Sequence, residues 1–90
     1  MGNLALDVLM REITEYQVNV EKLKIKIADC VIKVHSTSPQ EVTVIFDNLH
    51  KMAKLIEEVR PQEIMLCELF KTQSKIEDIL EEEELRKTKA

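Results

Sequence analysis

Few side chains in this sequence could do chemistry: His35, His50, Cys30, Cys67 and the acidic run Glu81-Glu82-Glu83-Glu84. An exposed histidine on a helix can take a phosphoryl group at a ring nitrogen, and Lys51 and Lys54 stand close to His50. Helical phosphotransfer sites follow their histidine with a lysine three residues on and then a glycine, and Met52-Ala53 occupy that stretch here. His35 falls near the end of the first helical pattern, where an imidazolium suits the helix dipole. Neither histidine has a cysteine or second histidine at helical spacing, which argues against a zinc site, any other metal centre and any cofactor. Both cysteines lie in apolar segments, as reduced core thiols do, and this points to a cytoplasmic chain. With no catalytic set assembled, the expectation is a non-enzymatic protein.

The elements that position these residues are helical. A single glycine among 90 residues leaves almost no cheap source of positive φ for phosphate-cradling loops, tight hairpins or barrel corners. Ser38-Pro39-Gln40-Glu41 reads as a helix start, with Ser38 as cap, Pro39 in the first turn and Glu41 reaching back. Pro61 lacks an amide donor and biases Arg60 away from helical dihedrals, so it reads as a break. These signals predict one all-α domain over 1–90, with helices at about 4–35, 39–59 and 62–85 and a frayed end at 86–90. The expected architecture is an antiparallel three-helix bundle completed by dimerisation.

The first helix carries the most regular pattern. Leu6, Leu9, Ile13, Tyr16, Val20, Leu23, Ile27, Cys30 and Val34 alternate spacings of three and four, a heptad seam of the coiled-coil kind. Opposite that seam a second stripe reads Leu4, Arg11, Val18, Ile25 and Ile32, mostly apolar. A helix that is apolar on both sides needs cover on both. Leu9, Ile13, Tyr16, Val20, Leu23 and Ile27 are therefore candidate contacts on one side, and Leu4, Val18, Ile25 and Ile32 on the other. The pattern leaves open which side faces a partner. Leu23-Lys24-Ile25-Lys26-Ile27 also alternates with period two, as a strand would, but no turn residues bound it.

The second helix shows an apolar face of Val42, Ile45, Phe46, Leu49, Met52, Ala53, Ile56 and Val59. Carrying that face past Pro61 puts Glu63, Gln73 and Glu77 on it. A fresh phase instead collects Met65, Leu66, Leu69, Phe70, Ile76, Ile79 and Leu80, which supports a break at the proline. The acidic run reads as a solvated end, with Glu82–Arg86 and Glu83–Lys87 as favourable i,i+4 pairs.

Thirteen Lys and Arg against 17 Asp and Glu give a net charge of −4, the wrong sign for a binder held by phosphate contacts, so nucleic acid is not an expected partner. No apolar run approaches the length of a membrane span and no export leader is visible, so no membrane partner is expected. Met1-Gly2 opens as a myristoylation signal does, but Leu6 stands where that signal has Ser or Thr. The joint Thr37-Ser38-Pro39-Gln40-Glu41-Val42 resembles the hairpin of the small sporulation-regulator aspartyl-phosphate phosphatases. That family's S-x-x-x-D spacing falls on Phe46 and His50, so the resemblance implies no activity here. In size, acidity and helicity the chain is also similar to chaperones of secretion-apparatus subunits.

The expected function is thus protein–protein interaction: self-association through the long first helix as a homodimer, in a structural or adaptor role. A small acidic helical chaperone or inhibitor that captures a client helix is the alternative. Phosphotransfer at His50 is the remote one.

Overall fold

The computed structural model describes residues 4–89. Within them the chain is two helices, α1 (Leu4–Ser36) and α2 (Val42–Lys89), packed against each other as an antiparallel hairpin. The alternation at residues 23–27 is helical, part of α1. Met1 and Gly2, where the acylation pattern would act, lie outside the described residues, as does Ala90 of the expected frayed end.

Residues 37–41 turn the chain without glycine. The Glu41 N–H donates to the Ser38 carbonyl at 2.9 Å, closing a four-residue turn with Pro39 and Gln40 at its centre. No residue described has positive φ, which excludes type II and leaves Pro39 at the second position of a type I turn, where its fixed φ fits. Pro39 therefore serves the turn and does not open the helix. The helix starts three residues later than the capping pattern predicted, and the Glu41 carbonyl accepts its first bond from the Ile45 N–H at 3.2 Å. The Ser38 hydroxyl pairs with the Gln40 side chain, so the expected capping box does not form.

Two helices stand where three were expected. α2 runs unbroken for 48 residues with Pro61 inside it, and it continues through 86–89. The physical reason lies in its inward positions. Apart from Glu63, the less exposed residues of α2 are Ile45, Asn48, Met52, Leu55, Val59, Gln62, Leu66, Leu69, Gln73, Ile76 and Leu80. They keep alternating three-and-four spacing from end to end, so the phase does not slip at the proline. The apparent slip arises because the apolar residues of α2 form more than one stripe: Val42, Phe46, Leu49, Ala53 and Ile56 are exposed, as are Met65, Phe70 and Ile79 further along. The polar seam residues are satisfied along their own helix. Asn48 Nδ2 donates to the Val44 carbonyl, Gln62 Nε2 to the Glu58 carbonyl and Gln73 Nε2 to the Glu77 carboxylate.

The inward seam of α1 is the one its spacing predicts. Ile13, Val20, Leu23 and Cys30 are buried, and Leu6, Leu9, Tyr16, Ile27 and Val34 are half-buried. The tightest packing joins Val20 and Leu23 to Val59, flanked by Ile27, Leu55 and Leu66. The molecule is a rod of 75 × 17 × 17 Å with a radius of gyration of 20.8 Å, against about 12 Å for a compact chain of this length. At 1.5 Å per residue α2 alone is about 72 Å long and α1 about 50 Å. Leu4 and Ile76 line one cavity, so the acidic end of α2 projects past α1 and residues 81–88 are exposed.

Candidate interaction face

A two-helix hairpin has two open sides, and here they differ in chemistry. On one side α1 presents Glu12, Asn19, Lys26 and Lys33 beside a row of α2, one residue in every seven, where Lys51, Glu58 and Thr72 alternate with Val44, Met65 and Ile79, all exposed. At the open end of this side Leu4, Ala5, Val8, Leu9, Glu12 and Ile76 line a cavity of 520 Å³.

The other side is largely apolar along its length. An open groove of 760 Å³ runs between the helices, walled by Gln17, Val18, Lys24 and Ile25 of α1 and by Glu63, Leu66, Cys67 and Phe70 of α2. The Lys24 ammonium meets the Glu63 carboxylate across it at 2.9 Å. That hydrogen bond, and next the Glu63 charge, raise the Lys24 pKa above its ordinary value. Both side chains are about half exposed, so the pair sits at the surface of the groove and does not fill it.

Toward the loop the same side of α2 continues as Val42, Phe46, Leu49, Ala53 and Ile56, and beyond Arg60 and Glu63 as Cys67 and Phe70. These nine positions alternate four and three without interruption. α2 therefore carries a second heptad stripe beside the one that packs on α1. The signal for it in the sequence is that two interleaved three-and-four series make an apolar arc too wide for one neighbour.

The ten candidate contacts on α1 separate into two sets. Leu9, Ile13, Tyr16, Val20, Leu23 and Ile27 turn toward α2. Leu4, Val18, Ile25 and Ile32 are exposed, at 78%, 47%, 55% and 62% respectively. Val18 and Ile25 join Phe70 and Cys67 in the groove, whereas Leu4 lines the cavity at the open end.

The residues first considered for chemistry are scattered. Cys30 is buried in the seam, Cys67 is exposed in the groove wall, and both are free thiols. His35 ends α1 and His50 lies on the outer surface of α2, both exposed. Among the described residues no three His, Cys, Asp or Glu side chains gather as metal ligands. The expected pairs Glu82–Arg86 and Glu83–Lys87 do not close. The described ion pairs are Lys24–Glu63 and Lys71–Glu68. No described helix is long and apolar enough to cross a membrane. No protein-family model, curated protein or solved structure matches the chain.

Proposed function

We propose that this chain is a non-enzymatic interaction module that buries its apolar side against other helices, in the first instance those of a second copy, in a structural or adaptor role. The observation that carries this reading is the outward stripe of α1 continuing into the groove. Val18 and Ile25 stand exposed beside Phe70 of the other helix, so the apolar surface is shared by both elements and is wide enough for a helix to lie in. Single exposed apolar residues are ordinary on any protein, but a contiguous stripe at heptad spacing is what a bundle helix shows to its neighbours. The phosphotransfer reading of His50 has only its solvent exposure behind it.

The test is Ile25→Glu, measured by sedimentation and by thermal melting over a range of concentrations. Self-association predicts a melting temperature that rises with concentration in the wild type, because folded and associated states are linked by mass action. Ile25→Glu should lower both mass and melting temperature. Unchanged mass and melting in the variant would remove the reading. A wild-type chain that is monomeric at every concentration, yet settles on adding a client helix, would transfer it to the chaperone alternative.

A further inference from the structure

Resting on the self-association reading, we infer a specific assembly. Two hairpins pack groove side to groove side about a two-fold axis parallel to the rods, with both turns at one end. Each helix then lies antiparallel between two neighbours in a four-helix bundle.

The first support is the angle between the two stripes. Phe46, Ala53, Ile56 and Phe70 each follow an inner-seam residue of α2 by one position, and Lys24 and Val31 follow Leu23 and Cys30 of α1 in the same way. One residue turns an α-helix by about 100°, so each helix carries a second face at nearly a right angle to the seam. The groove is walled by both of these faces, so they open on the same side of the hairpin. A helix at the corner of a square bundle needs such a pair of faces, one for its own hairpin and one for a second copy.

The second support is charge. The Lys24 ammonium and the Glu63 carboxylate meet at 2.9 Å, which puts the two charged tips at one height along the rod. A two-fold axis parallel to the rods keeps every height and sets α1 against the partner's α2. Lys24 then faces the partner's Glu63 as well as its own, Glu63 faces the partner's Lys24, and the signs alternate around the axis. An axis perpendicular to the rods sets like helices together. At the height of this pair it opposes Lys24 to the partner's Lys24 and Glu63 to the partner's Glu63. Slid until Arg60 meets the partner's Glu63, it lays Val42, Phe46 and Leu49 on the partner's Glu81, Glu77 and Ser74. Covering these charges costs free energy in any dimer, and the parallel axis gives each of them an opposite partner in return.

The third support is the layer beside the charges. The helices run antiparallel, so one heptad toward the turn from Lys24 and Glu63 brings Val31 level with Ile56. Both are part of the open side, at 39% and 42% exposed. Under the parallel axis the partner's Val31 and Ile56 arrive at the same height and close an apolar layer of four. The turn-proximal halves of the two copies, where the open stripe of α2 is apolar from Val42 to Ile56, then coincide.

The test uses the full chain. Sedimentation equilibrium of the wild type is expected to give twice the chain mass. Lys24→Glu alone and Glu63→Lys alone each surround the axis with four like charges. Each should raise the dimer dissociation constant about tenfold or more, with helix content at high concentration unchanged. An equimolar mixture of the two variants should recover a dimer of one copy of each. Both chains in that mixture keep a like-charged pair of their own, so the recovery comes from charges across the interface. The axis is read separately, by pulsed electron paramagnetic resonance on a spin label at Ser38→Cys, with Cys67→Ser removing the exposed native thiol. Helices about 8–10 Å apart place the two turns of the parallel-axis dimer within about 20 Å. Ser38 lies about 20 Å beyond Lys24 along the rod at 1.5 Å per residue, so a perpendicular axis at the Lys24–Glu63 pair separates the labels by about 40 Å. A wild-type dimer with the labels that far apart, or a mixture no tighter than its components, would overturn this assembly and leave self-association standing. A wild type that is monomeric throughout would overturn both.

Discussion

Pro61 is the position where the fold is most exposed to refutation. It lies in the middle of α2 on the flank turned away from α1 and is exposed, so replacing its ring disturbs no packed contact. In a continuous helix it costs the bond that an amide at 61 would donate to the Glu57 carbonyl, and its ring crowds that same carbonyl. The net value of one such hydrogen bond is about 1 kcal/mol, and with the steric part the difference between Pro and Ala in a helix interior is about 3 kcal/mol. Pro61→Ala should therefore stabilise the hairpin by about 3 kcal/mol. With a urea dependence of about 1–3 kcal/mol per molar, the midpoint should rise by about 1–3 M. The assay is urea unfolding followed by far-ultraviolet circular dichroism at one fixed protein concentration. Lys54→Ala, on the same flank two turns earlier, serves as control and should stay within about 0.5 kcal/mol of wild type. A midpoint that fails to rise in Pro61→Ala would mean that the backbone is not helical through 61 in solution. The three-segment reading of the sequence would then return.

Two further outcomes follow from the packing. Leu23 is 7% exposed at the centre of the core, and Leu23→Ala should cost about 2–5 kcal/mol, whereas Lys22→Ala next to it should cost little; equal effects in urea titrations would refute the assigned seam. Because Lys24 is held above its ordinary pKa of 10.5 by Glu63, its contribution to stability is complete below that pH and is lost as pH rises through the folded value. Melting temperatures taken from neutral to strongly alkaline pH should therefore fall more for the wild type than for Lys24→Met, and parallel curves would show that the bridge contributes nothing.

Much of α1 was legible because one rule decided it. Its inward residues, from Leu6 to Val34, alternate three and four, and no other face of α1 does so with apolar residues alone. α2 was harder because its apolar residues obey the same rule twice. Ile45, Met52, Leu55 and Val59 belong to the stripe on α1, while Val42, Phe46, Leu49, Ala53 and Ile56 belong to the open one. Spacing does not say which of two adjacent stripes a short neighbour will cover. Polarity also misled: Gln62 and Gln73 look foreign to a seam, yet each bonds within its own helix and leaves its methylenes to pack. The two prolines depart from local preference in opposite directions. Pro39 has the context of a helix start and sits in a turn, while Pro61 has the context of a break and sits in a helix. Local preference was overridden in the second case by the uninterrupted inner seam on either side of it.

The small inner core bears directly on what the open side does. Only Ile13, Val20, Leu23, Cys30 and Val59 are buried among the described residues, and chains of this size depend on the whole of their apolar surface to outweigh ordering entropy. Long helices take most of their stability from tertiary contacts on an apolar face. α2 has two such faces, of which α1 covers one. On the proposed self-association, the residues of the open stripe add to the folding energetics once a second copy covers them. If the proposed self-association holds, folding and association form one equilibrium, and dilution should unwind the hairpin itself and not release a stable folded monomer.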